Sequence, residues 1–230
     1  MPRDTFDKEL QRLQDDLLVL GSMVEEALIE SVDILRRQDQ EAAKQLIAHD
    51  RLINEKRFAI ESEALTIIAT QQPMAGDLRT IAAVLEIATE LERIGDYAKG
   101  IARICLMIGE QPLVKPLVDI PRMAVLVRDM LHQALEAFVR RDAAMARLIP
   151  ARDDEVDLLY TRVYRELLDV IVADQRAIDG ATHLLWVAHN LERTGDRVTN
   201  ICERVIFTVT GEMTELDVKD GGDTPGPDTE

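Results

Sequence analysis

The hexapeptide Leu91-Glu92-Arg93-Ile94-Gly95-Asp96 recurs 100 residues later as Leu191-Glu192-Arg193-Thr194-Gly195-Asp196, with one position changed. A near-copy at that distance marks a tandem duplication, so one structural plan is built twice. The plan is helical. Phe6, Leu10, Leu13, Leu17, Leu20 and Val24 alternate spacings of four and three, the period of a long amphipathic helix, and the stripe continues through a polar lapse at Ser31 to Ile34. That helix is expected to end near Arg37, with Asp39 as the N-cap of a second.

The second helix repeats the spacing through Leu46, Asp50, Ile53, Arg57, Ile60 and Ala64, with two charged members, and Gln72-Pro73-Met74-Ala75-Gly76 ends it. A third helix is expected from about Pro73 to Ile108, its apolar seam carrying Glu92 and Gly95. The second half predicts a fourth helix over about 121–140 and another N-cap at Asp142. A fifth helix is expected through Ile149, Asp153, Val156, Tyr160, Val163 and Leu167, and a sixth after a break between Ala173 and Gly180. No segment shows a sustained strand pattern. Aromatic residues are only 3% of the chain, which leaves aliphatic side chains to fill the core.

The expected architecture is all-α: two tandem three-helix bundles, over 1–110 and 122–210, with a proline-rich linker at 111–121 and a disordered acidic tail at 211–230. Trp186 is assigned to the core. Cys105 and Cys202 are too few for a disulfide framework or a Cys-based zinc site, and read as buried thiols of a reducing cytoplasm. The N-terminal residues have no apolar core and read as no signal peptide, and no stretch is long and apolar enough to span a membrane. A net charge of −16 disfavours nucleic acid and anionic membranes as partners.

The chemistry of the chain is concentrated in its acids. Glu92 and Asp96 lie four apart and so share a helix face, as do Glu192 and Asp196. The preceding helix of each half offers a matching pair, Asp50 with Asn54 and Asp153 with Asp157. Clustered carboxylates near a core repel one another and cost several kcal/mol in desolvation unless neutralised. Two readings stay open. The acids are solvated or paired with arginines, Arg57, Arg79, Arg93 and Arg193 being within plausible reach. Alternatively they hold metal, where all-carboxylate ligation suits Mg, Mn or Fe, with Zn possible.

A ferritin-like di-iron core is disfavoured, because no Glu has a His three residues on. His49 and His189 adjoin the acids, but neither has a counterpart in the other half. Gly95 and Gly195 cost about 1 kcal/mol each against Ala in a helix, so another backbone is expected to approach there. No phosphate-binding loop, Ser-His-Asp set or Cys-His set is present, and nothing nominates an enzyme.

The repeated Leu-Glu-Arg-x-Gly-Asp, the two acidic pairs, and Gln72-Pro73-Met74-Ala75-Gly76-Asp77-Leu78-Arg79 together resemble the PhoU family, over about residues 5–210. The resemblance implies two tandem three-helix bundles and a cytoplasmic negative regulator of phosphate uptake and of the phosphate-starvation response. Such a regulator would act through the ATPase of a phosphate ABC transporter and a phosphate-sensing histidine kinase, with dimers common. It also implies multinuclear iron or zinc clusters, on Asp50, Glu92 and Asp96 in the first half and on Asp153, Asp157, Glu192 and Asp196 in the second; Asn54 matches in part. In the second half the Pro-x-x-x-Asp-Leu-Arg stretch is replaced by Asp174-Gln175-Arg176-Ala177-Ile178-Asp179, which leaves any role of that stretch to the first half. Rival readings are a metal-binding or storage protein without signalling, and an accessory protein of a different phosphate transporter.

Overall fold

A computed structural model of the chain describes residues 3–216, and among them there are helices and no strands. The first half is α1 (Arg3–Arg37), α2 (Gln40–Gln71) and α3 (Ala75–Ile108). The second is α4 (Asp119–Arg140), α5 (Ala143–Leu148), α6 (Asp153–Ala173) and α7 (Ile178–Thr210), with 3-10 turns at Ile149–Arg152 and Gln175–Ala177. Leu13, Leu17, Leu20 and Val24 of α1 are fully buried, as their spacing requires. Ser31 is buried as well, and its hydroxyl donates to the Leu28 carbonyl at 2.8 Å, so the polar lapse costs no unpaired donor.

The α1–α2 and α4–α5 hairpins are copies in atomic detail. Gln38 and Arg141 adopt the left-handed conformation, with φ of 53° and 54°. In each hairpin the next N–H reaches back to the helix just ended, from Asp39 to Ile34 O at 3.1 Å and from Asp142 to Ala137 O at 2.9 Å. The same aspartates then cap the following helix, accepting from Ala42 N at 3.0 Å and Met145 N at 2.9 Å. Glycine would suit the left-handed position better. The side chains explain why it is absent: Gln38 donates to the Gln111 carbonyl, and Arg141 to that of Thr208 at 3.3 Å, beyond α3 and at the end of α7.

The fifth helix departs from expectation. It is α5, a 3-10 turn and then α6, because Pro150 has no N–H to give an α-helical ladder. Asp153 thereby becomes the first residue of a helix, where its charge meets the positive end of the helix dipole. Two other boundaries shift. α3 starts at Ala75 because Met74 is extended, and α4 starts at Asp119, which places Pro121 in a first turn that needs no N–H from it. Of the tail expected over 211–230, residues 211–216 are irregular and return to α7, where Leu216 N donates to Glu203 at 2.9 Å; 217–230 lie outside the described residues.

The halves share one aliphatic core that runs through both. α3 and α7 pack antiparallel at its centre, and α1 meets α4 where Gly21 lies against Leu135. Trp186 is half-exposed, not core: the buried face of α7 runs through Leu184, Val187, Ala188 and Leu191, and Trp186 points away from it, edge-on to His183. No helix among the described residues is long and apolar enough to cross a membrane.

Candidate functional site: two acidic grooves

The acids line two grooves, one between α2 and α3 and one between α6 and α7. In the first, Asp50 is 7% exposed; its Oδ2 is engaged and its Oδ1 is buried without a hydrogen-bond partner. Lys99 Nζ stands 2.6 Å from Asp50 Oδ2 and 3.2 Å from Asp96 Oδ1, bridging the two helices. Asn54 Nδ2 donates to the same Asp50 oxygen at 3.2 Å. The hydrogen bond to Asp50 raises the Lys99 pKa and keeps the ammonium charged. Glu92, half-buried above them, has its pKa raised by burial first and by Asp96 second, with Arg57 acting against both.

The second groove keeps the carboxylates and changes their companions. Gly195 gives room to Asp153: a Cβ there would stand 2.0 Å from Asp153 Oδ1. Burial, then Asp196, raises the pKa of Glu192; His189, 3.3 Å away, acts in the opposite direction, and Asp157 adds to the rise. Tyr160 occupies the place that Arg57 has in the first groove, and burial and Glu192 raise its pKa. Three replacements therefore separate the copies: Asn54 by Asp157, Arg57 by Tyr160, and Lys99 by Thr199, which is 3% exposed. His49, the other candidate histidine, lines a cavity of about 370 Å³ with Glu26, Glu30 and Asp50.

The glycines are explained differently from expectation. What approaches Gly195 is a carboxylate, and what approaches Gly95 is the Ile53 side chain, 3.2 Å from a Cβ position; neither is a backbone. Arg79 does not reach the acids. Its guanidinium lies beside Gly211 at the other end of α3. Sequence reasoning also missed Lys99 and Glu90. Aligning the copies beyond the hexapeptide marks both as positions where the halves differ, Lys99-Gly100 facing Thr199-Asn200 and Glu90 facing Asn190, without showing what they contact.

Glu90 joins the halves. This buried carboxylate on α3 meets Arg93 at 2.7 Å on its own helix, and Arg197 and Asn200 of α7 at 3.3 Å each. At the matching point of the seam Asn190 lies against Gly100, and Arg193 stacks 5.6 Å from the Tyr97 ring. One end of the α3–α7 seam is ionic and the other is stacked.

Among the described residues no three His, Cys, Asp or Glu side chains converge closely enough to hold one metal ion. In the first groove Lys99 already stands between Asp50 Oδ2 and Asp96, the position a shared metal would take, while Asp50 Oδ1 is buried without a hydrogen-bond partner. The second groove fits in donor chemistry, four carboxylates suited to a hard or borderline cation, without being gathered into a cage.

A duplicated three-helix bundle with an acidic pair on each of its two central helices defines a class of helical proteins with twinned grooves. Comparison with known proteins places the chain within it: the chain belongs to the PhoU family. The PhoU domain model matches twice, over residues 17–105 and 120–205. A phosphate-specific transport system accessory protein PhoU homolog of Clostridium acetobutylicum is 36% identical over 217 residues, covering 94% of this chain and 99% of the relative. That of Caulobacter vibrioides is 38% identical over 209 residues, covering 90% and 91%. The crystal structure of PhoU from Pseudomonas aeruginosa superposes with a TM-score of 0.84 at 35% identity, covering 90% of this chain and all of that one. The phosphate transport system regulatory protein PhoU from Streptococcus pneumoniae superposes with a TM-score of 0.84 at 32% identity, over 91% and 99%.

Proposed function

We propose that the protein is a non-enzymatic accessory protein of phosphate transport. It restrains phosphate uptake and the phosphate-starvation response by contact with the ATPase subunit of a phosphate ABC transporter and with a phosphate-sensing histidine kinase, in the cytoplasm and as a homodimer. The observation that carries this reading is the alignment of nearly the whole chain, both halves included, with phosphate-specific transport accessory proteins. The physical character of the chain supports it. A chain with a net charge of −16 is suited to docking on basic patches, and that charge favours fast, salt-sensitive association. The test is a deletion strain grown in high phosphate and assayed for phosphate uptake and alkaline-phosphatase expression. Derepression of both is the expected result, and repression at the wild-type level overturns the reading.

Metal is the second part of the proposal, and the acid content of the second groove favours it there. Asp153, Asp157, Glu192 and Asp196 would hold the ion, and iron, zinc, manganese or magnesium would supply the positive charge that draws α6 and α7 together. Replacing Glu192 and Asp196 together by Ala removes that metal while helicity is retained. Unchanged metal content by elemental analysis refutes the assignment.

A further inference from the structure

We infer that Lys99 is a resident cation that closes the first groove to divalent metal, so that the two grooves of the chain have different chemistry. The inference concerns the first groove alone and stands whether or not the protein regulates phosphate uptake.

Its basis is the position of one ammonium. A metal held between Asp50 of α2 and Asp96 of α3 would take the place that Lys99 Nζ occupies, at 2.6 and 3.2 Å from the two carboxylates. Asp50 Oδ2 also accepts from Asn54 at 3.2 Å, so two donors already use that oxygen, and Oδ1 is the one left buried without a hydrogen-bond partner. The contact is sheltered: the Lys99 side chain is 20% exposed and that of Asp50 is 8%. A divalent ion entering beside Lys99 meets a fixed positive charge at contact distance, in surroundings that screen it less than bulk water does. Arg57 adds a second positive charge near Glu92.

Displacing Lys99 instead would leave the buried Asp50 carboxylate to the ion alone and give up both contacts that the ammonium makes. Lys99 thus does by a covalent tether what a metal does by ligation: it neutralises the acids and ties α2 to α3. The tie needs no metal supply, and the pairing of α2 with α3 is insensitive to metal starvation.

The test isolates the first groove by substituting Glu192→Gln and Asp196→Asn. This parent chain, and the same chain carrying Asn54→Asp, Arg57→Tyr and Lys99→Thr, are dialysed against Mn²⁺ or Zn²⁺ and analysed for bound metal. The parent is expected to bind no equivalent at the first groove, and the triple substitution to gain one. Metal bound by the parent and lost on Asp50→Asn overturns the inference, and so does a triple variant that gains none.

Thermal melting gives a second readout. Lys99→Thr alone melts earlier than the parent and is restored by Mn²⁺, whereas Lys99→Arg melts like the parent with or without Mn²⁺. A Lys99→Thr chain that metal does not restore, or that fails to fold with metal present, counts against the inference. So does a Lys99→Arg chain that metal stabilises.

Discussion

The carboxylate of Glu90 on α3 lies 3.3 Å from the guanidinium of Arg197 on α7, so a buried charge of the first half is shared between Arg93 of its own helix and a cation of the second half. Glu90→Ala leaves Arg197 in a largely buried position without its partner. The expected loss is roughly 1–3 kcal/mol, below the range for a fully buried pair because both Arg93 and Arg197 keep some solvent. Glu90→Gln retains hydrogen bonding to Asn200 and costs less. Urea unfolding measures both, and a Glu90→Ala/Arg197→Ala double-mutant cycle that is additive would show that the pair is not coupled.

Gly195 is expected to behave as half of a pair with Asp153. Alanine gains about 1 kcal/mol of helix propensity over glycine. At position 195 that gain is offset, because the new methyl must expel the Asp153 carboxylate, 2.0 Å away. Gly195→Ala is therefore neutral or destabilising by itself. In an Asp153→Ala background it is stabilising by up to about 1 kcal/mol. Melting temperatures of the four chains decide it, and equal effects in both backgrounds refute the coupling.

The two hairpin caps should be equivalent and independent. Asp39→Ala and Asp142→Ala each remove a single acceptor for a helix N–H, at a cost of about 1 kcal/mol. They share no partner, so the double variant should show the sum. Denaturant midpoints check both statements, and the corresponding Asn variants should recover most of the loss.

Alkaline pH should expose the burial of Cys202, whose thiol pKa is pushed up to about 12 by desolvation. An unfolded chain loses that proton near pH 8.5. Between roughly pH 9 and 12 the folded state holds a proton that the unfolded state has released, so stability is complete below this window and falls as pH rises through it. The slope attributable to Cys202 approaches about 1.4 kcal/mol per pH unit. Comparing wild type with Cys202→Ala at pH 8 and pH 10.5 isolates it from lysine and tyrosine titration. Thiol reagents should label neither Cys202 nor Cys105 in the folded protein at pH 8, since burial also raises the Cys105 pKa.

Helices with a simple cause were legible from sequence. The four-three spacing of α1, the Asp39 and Asp142 caps and the stop at Gln72-Pro73 each act through neighbours in the chain, and each appears where expected. The α5–α6 break was hidden because Ala146 and Val156 are buried on either side of it and Ile149 within it, so the apolar stripe runs on across a 3-10 turn that only Pro150 betrays. In the grooves, the acids stood out because they are copied. Lys99 did not, because its meaning depends on Asp50, 49 residues earlier on another helix. Glu90 was missed for the same reason, its partners being more than 100 residues away on α7. Trp186 was misplaced by treating size as a guide to burial, when the phase of the helix decides it.

The single core shared by the two copies has one more consequence. A homodimer of a lone three-helix unit would carry the same residue at both equivalent positions, so a lysine in one groove would oblige a lysine in the other. Joining the copies in one chain removes that obligation. The core-facing stripes stay alike because they pack against each other, while Lys99 and Thr199 are free to diverge. Fusion here is what permits a symmetric scaffold to present two unlike faces to whatever binds it.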